Sequence, residues 1–409
     1  MTETAADTTR TGDDVPTALE AAVTTTDHLR IGRAWIASGV LFLVASLVAG
    51  LLVSLERMDL SGMAVFGDAD SLFRFWSAYR VGIVLLAVVP VVIGLATAVA
   101  PLQVGASSVV FPRAAAFGFW VWALGAAITV AGFLIDGGLG TPGGTSRTDA
   151  VALTLLGLLM VIGGICCATV CILTTIVVGR TAGMTLSRVP LFVWSVLVAG
   201  SIWLVTLPVL AANAVLVYVD LAGRSAVAFG AEDTIWEQLS WAFSHPQVYA
   251  FALPLVGIAG DIVPVAARRR HGSHQALLVL TALLGVLSFG AYAQAAFDVG
   301  TPIREQAIFV VEAFLVVPLV LLVLFGLVDT LWRGAGSRRT RMPAPLYLSV
   351  LSVLFLLAGT VLGALRAVAP LDLLERSTTG AQFTFTIGAA LLAAMAGTLW
   401  WGDLIVGRV

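Results

Sequence analysis

The chain has 409 residues, of which 59% are hydrophobic and only 11% charged, and its mean hydropathy is +1.01. A soluble protein of this length could not hide that much apolar surface, so the composition excludes a soluble globular domain and points to a polytopic membrane protein in contact with the lipid bilayer. The formal net charge of -2 singles out no class of partner, and no nucleic-acid role is expected.

Residues 1–30, rich in Thr, Ala and Asp and without apolar periodicity, read as a disordered cytoplasmic tail. No apolar stretch of signal-peptide type lies near the start. Segments apolar enough to cross a bilayer, at about 20 residues per crossing, follow near 34–54, 81–100, 115–135, 151–178, 190–217, 238–266, 275–297, 306–332, 345–368 and 382–405. The expected fold is therefore all-α: a transmembrane bundle of about ten helices over residues 31–409. With the tail in the cytoplasm, the connections on the same side hold Arg113, Arg180, Arg188, Arg268–Arg270, Arg333, Arg338, Arg339 and Arg341, while Asp59, Asp68, Asp70, Asp136, Asp149, Asp220, Glu232 and Asp233 lie opposite. That bias predicts a multi-pass protein of the plasma membrane with both termini cytoplasmic. Cys166, Cys167 and Cys171 share one apolar segment, have no metal-cage spacing, and read as small packing residues.

Chemistry-bearing residues are few. His245 lies inside an apolar segment, where an imidazole is costly without a partner. Pro246 removes a backbone donor beside it, and Tyr249, four residues on, is expected on the same helix face. A packed core histidine bonded to a neighbouring helix is the plain alternative to a functional one. Glu312 lies midway along the eighth segment, to be protonated, paired with an Arg, or facing a wet cavity. Asp261 and Asp329, near helix ends, are expected to be solvated, and His271 and His274, in the loop after Arg268–Arg270, to form a solvated or lipid-headgroup-facing patch.

Trp241-Ala242-Phe243-Ser244-His245-Pro246-Gln247-Val248-Tyr249 resembles the HPEVY segment of subunit I of the haem-copper oxidases. Further strings follow the family's order: Thr26–Gly32 is similar to its TDHKRIG, Pro101–Ala106 with Phe111-Pro112-Arg113 to PLQIGAPDxAFPR, Gly183–Ser195 to GMTLxRMPLFVWS, Leu207–Ala211 to LPVLA, and Ala369–Asp372 to APLD. The resemblance runs through nearly the whole chain. It implies an oxidase subunit I-like bundle, here shorter than the usual twelve helices, with haem and copper cofactors, proton routes and other membrane subunits of an oxidase-like complex as partners. It also makes His245 the residual position of a copper ligand and Tyr249 that of a redox-active tyrosine.

At the other positions this chain departs from the family, which holds its metals with six histidines; the chain has four His in all, and only His245 coincides with a ligand. Counting from shared motifs places Tyr79 at the low-spin haem ligand, Arg80 at the glycine beside it, Gln294 and Ala295 at the paired copper ligands, and Thr384-Phe385-Thr386 at the family's His-Phe-His. Tyrosine can ligate iron, so Tyr79 stays a candidate. Arg57 occupies the place of an arginine that contacts a haem substituent, or is an interfacial Arg snorkelling to water. Gln247 replaces the Glu of HPEVY, Ser108 replaces an aspartate, and Leu322 stands where the family has a lysine. No haem or copper is therefore expected. An emptied core needs bulky side chains such as Trp76, Phe243, Tyr292 and Phe297 to collapse into it, or another occupant. Four functions remain open: a partner-binding scaffold without its own haem-copper centre, an active terminal oxidase with unconventional ligands, a transporter or channel using the emptied cavity, and a copper-handling protein built on His245.

Overall fold

The computed structural model describes residues 20, 23–58, 64–140, 148–223, 229, 235–291, 303–334, 343–367 and 376–406, and every regular element among them is helical. The frame consists of α1 (His28–Arg57), α2 (Ala69–Val104), α3 (Pro112–Leu134), α4 (Thr148–Val178), α5 (Leu191–Leu221), α6 (Ile235–Ser240), α7 (Val248–Ala266), α8 (His274–Leu287), α9 (Ile303–Gly334), α10 (Ala344–Arg366) and α11 (Arg376–Trp400). Among the described residues nine of these are long and apolar enough to cross a membrane, and α8 is a shorter apolar helix. This is the multi-pass bundle that the apolar segments predict.

Helix boundaries move where capping or proline overrides hydropathy. The last residues of the expected tail are already helical, because Asp27 accepts the Leu29 N–H at 2.9 Å and starts α1 at His28. The rest of the tail, apart from residue 20 and residues 23–27, lies outside the described residues. α2 begins a full three turns before its apolar run, where Asp68 accepts the Ser71 N–H at 2.6 Å. The segment expected over 238–266 is not one helix. A 3-10 turn at Trp241–Phe243 and an extended Ser244 separate α6 from α7, since Pro246 cannot donate to a helical ladder. α8 ends at Leu287, and residues 292–297 of its expected span lie outside the described residues.

α2 and α7 form the centre. The most apolar 18-residue stretch of α2 is 100% buried and that of α7 83%, against 17% for α1, so the other helices surround these two. Leu41, Val44, Leu47, Val48 and Leu51 of α1 are exposed and face the lipid. Close helix contacts depend on small residues, as membrane bundles require. A methyl group on Gly125 of α3 would stand 2.7 Å from the Val161 nitrogen and 2.8 Å from the Gly157 oxygen of α4, so the two backbones touch. Inside α2, a π-helical stretch at Gly82–Val88 loosens the ladder, and Trp122 donates its indole N–H to the Leu85 carbonyl at 3.1 Å.

Two groups expected to be solvated are instead structural. Asp261 accepts the Leu191 N–H at the start of α5 at 3.1 Å and the Gln103 side-chain amide at 2.9 Å. A carboxylate answers the free donors of a helix N-terminus well. His271 is half-buried, with Nδ1 2.8 Å from the Thr330 hydroxyl of α9 and Nε2 2.7 Å from the Gly260 carbonyl of α7. Burial holds its imidazole below the usual histidine pKa, although the bond to Gly260 works in the other direction. The cysteines are free, and Cys167 donates to the Ala114 carbonyl across the α3–α4 contact, in keeping with a packing role.

Candidate functional site

His245 sits in the turn ahead of α7, not within it, so the expected shared helix face with Tyr249 does not form. The chain still brings the two together: Val248 N–H bonds to Ser244 O at 2.9 Å and Tyr249 N–H to Pro246 O at 3.1 Å, folding the turn back over the first residues of α7. The imidazole meets the Tyr249 ring edge-on, with centroids 5.5 Å apart at 84°. Its Nε2 lies 2.5 Å from Glu312 Oε2 of α9, both side chains being buried. The approach lacks hydrogen-bond alignment, and His245 Nδ1 has no partner among the described residues. Glu312 thus takes the histidine as its neighbour, a pairing that the sequence reading did not include.

Tyr249 continues into a second set of polar contacts. Its hydroxyl accepts from the Gln382 side-chain amide of α11 at 2.8 Å, and Gln382 Oε1 accepts from Arg366 Nη1 at 2.5 Å. Gly363 of α10 makes this possible. A methyl group there would lie 2.4 Å from the Tyr249 oxygen and 2.7 Å from the Gln382 nitrogen. Gln247 points elsewhere: its amide donates to Thr206 of α5 at 3.0 Å and its oxygen accepts the Gly290 N–H at 3.0 Å. Both ends of the carboxamide are used, which a carboxylate could not do.

The residues that the resemblance sets at haem-ligand positions make local bonds and packing contacts. Thr384 donates to the Gly380 carbonyl and Thr386 to the Gln382 carbonyl, each at 2.9 Å within α11. Tyr79 packs edge-on against Phe383 and faces Thr384. Arg80 is only 5% exposed, with its guanidinium carbon 4.0 Å from the Phe383 ring and 4.9 Å from the Trp76 ring. Trp76 meets Trp236 at 5.0 Å, and Trp236 stacks on Phe243 at 5.5 Å. Arg57 ends α1 and is exposed, apart from the His245–Glu312 pair. Tyr292, Gln294, Ala295, Phe297 and Ala369–Asp372 lie outside the described residues. Among the described residues no three His, Cys, Asp or Glu side chains converge as a metal group would need.

His245, Tyr249 and Glu312 therefore share one buried place; Tyr79, Gln247 and Arg57 do not join it. Gln382, Arg366 and Gly363 escaped the sequence reading. A glutamine two residues before Thr384 and an arginine closing an apolar helix were visible signals, but their convergence needed the fold.

The family model described as cytochrome c and quinol oxidase polypeptide I matches residues 30–409. The chain is 32% identical to a cytochrome c oxidase subunit 1 from Corynebacterium glutamicum, over 95% of this chain and 68% of the relative. It is 30% identical to a probable cytochrome c oxidase subunit 1-beta from Nocardia farcinica with the same two shares, and 30% identical to the Bacillus subtilis subunit 1 over 95% and 63%. By the reach of that match and these identities, the chain belongs to the cytochrome c and quinol oxidase polypeptide I family.

Proposed function

We propose that this chain is a subunit I homologue of a respiratory or electron-transport assembly in the plasma membrane that binds other membrane subunits as a scaffold and carries no haem-copper centre of its own. One observation supports this above the others: the side chains at the family's haem-ligand positions are committed to local bonds and packing. Thr384 and Thr386 bond their own helix, and Arg80 places a cation on the Phe383 ring that Tyr79 also packs against. Neither a threonine hydroxyl nor a guanidinium is a competent iron ligand. His245, the one imidazole at a copper-ligand position, has a carboxylate for its neighbour among the described residues. This donor set does not fit an iron porphyrin or an imidazole-caged copper. With Gln247 and Leu322 at proton-route positions, the chain's part lies in assembly and not in oxygen reduction.

The test is an ultraviolet–visible spectrum and metal analysis of the detergent-purified chain, with affinity capture of the tagged protein from its own membranes. The expected outcome is a flat Soret region, copper and iron well below one per chain, and co-purification with other membrane subunits. A Soret band with oxygen consumption would overturn the proposal in favour of an oxidase with unconventional ligands. The buried His245–Glu312 contact favours a second reading, a transporter lined by these two groups. Solute flux in proteoliposomes that E312Q abolishes would support that reading over the scaffold.

A further inference from the structure

Arg80 is the charge that none of these readings uses. It lies about three turns into α2, is 5% exposed, and its Nε has no hydrogen-bond partner among the described residues. The Trp76 and Phe383 rings offset part of its burial through their π faces, but a cation inside a bilayer bundle also calls for an opposite charge. Arg366, at the end of α10, adds a second one; its Nη1 is spent on Gln382 while its Nε is buried and has no hydrogen-bond partner among the described residues. Arg366 and Arg57 both lie within electrostatic range of Arg80. Among the described residues no carboxylate is paired with this charge. Among the described residues Glu312 is engaged with His245 and Asp136 with Arg74, and neither Arg80 nor Arg366 has an acidic partner.

Arg80 lies on Phe383 and Arg366 bonds Gln382, consecutive residues of α11, and Arg57 closes α1 within electrostatic range of Arg80, so three like charges gather on one side of the bundle. Like charges held this close oppose the fold unless an anion joins them. Guanidinium groups with free N–H donors in a fixed fork match the oxygens of a phosphate better than a spherical ion. We infer that Arg80 and Arg366, with Arg57 at the mouth, form a binding site for a phosphate group, supplied by a phospholipid headgroup or free in solution. The inference rests on a haem-free interior, since a porphyrin carboxylate would answer the same charges.

The test uses the full chain in a phosphate-free glycoside detergent, delipidated, with thermal unfolding followed as inorganic phosphate or phosphatidylglycerol is added against sodium chloride of equal ionic strength. Ligand at one hundred times its Kd raises the folded-to-unfolded ratio about a hundredfold. A saturable rise in Tm is expected for wild type and for R113Q, which alters an exposed arginine, and is lost in R80M and R366M. A response to phosphatidylglycerol alone assigns the headgroup, and one to inorganic phosphate alone the free ion. R80K keeps the charge without the fork and is expected to fold and bind more weakly. Native mass spectrometry of the undelipidated wild type reads bound phosphate or lipid independently of any variant. No response to either probe, or one that survives in both R80M and R366M, overturns the site. Soret absorbance in the same samples would overturn the haem-free interior instead, so the two failures are told apart.

Discussion

Gly363→Ala tests whether α10 packs directly on the polar groups of α7 and α11. The added methyl would meet the Tyr249 oxygen at 2.4 Å and the Gln382 nitrogen at 2.7 Å, far inside ordinary contact. Forcing a methyl into a filled space costs about 1–3 kcal/mol. Separating Gln382 from Tyr249, 2.8 Å apart, leaves a buried donor and acceptor unmade for about another 1–3 kcal/mol. Replacing a helical glycine by alanine returns about 1 kcal/mol. The net expectation is a loss of about 3 kcal/mol. Gly163→Ala on α4, where nothing lies within 4 Å of the added methyl, provides the reference with the propensity gain and no clash. Unfolding in detergent micelles titrated with sodium dodecyl sulfate, followed by tryptophan fluorescence, measures both. If Gly363→Ala proved as stable as Gly163→Ala, a gap would have to separate α10 from Tyr249 and Gln382. Room for a bound group between these helices would then return.

Three other outcomes follow from the same contacts. His245→Phe or Glu312→Leu alone strands a buried polar partner and is expected to cost about 3–5 kcal/mol, whereas the double variant recovers most of that loss; simple additivity in a double-mutant cycle would show that the two groups do not interact. Gln247→Leu leaves the Gly290 N–H without its acceptor and is expected to cost about 1–3 kcal/mol in the same unfolding assay, and an unchanged midpoint would contradict the Gln247 bridge. His271 has a folded pKa below its unfolded value near 6.5, so the unfolded chain binds more protons between the two values, and stability falls as pH drops below about 6.5. Thermal melts across that range should show this slope in wild type and a smaller one in His271→Gln; equal slopes would refute it.

Much of the fold was legible because hydropathy reports spans directly, and the order of the ten segments is that of the helices, with α6 and α7 sharing one segment. The failures have local causes. Asp68 at the head of α2 is a cap whose amphipathic first turns read as loop, and Pro246 breaks a segment whose composition is uniformly apolar. The site was half legible. His245, Tyr249 and Glu312 stood out because polar groups are rare in apolar segments, yet the spacing of His245 and Tyr249 implied a helix face that the turn before α7 does not supply. Glu312 was recognisable as costly, but its partner comes from a turn 67 positions away in sequence, which no local pattern encodes.

Two of the strings shared with the family join helices directly. Gln103 in the PLQ string and Leu191 in the PLFVW string both bond to Asp261, so two strings far apart in sequence meet at one carboxylate. The Thr181 N–H reaches back to the Val104 carbonyl at 3.0 Å, tying the same two regions again. None of these contacts touches Tyr79, His245, Thr384 or Thr386. Substitution at the ligand positions therefore leaves the helix-joining bonds in place, provided new side chains satisfy the space and charge. The Arg366–Gln382–Tyr249 relay and the Trp76–Arg80–Phe383 stack do so on the α2, α10 and α11 side, and the His245–Glu312 contact does so between α7 and α9. Separate residues thus hold the backbone together and fill its interior, so the contacts among the shared strings do not depend on the side chains at Tyr79, His245, Thr384 and Thr386.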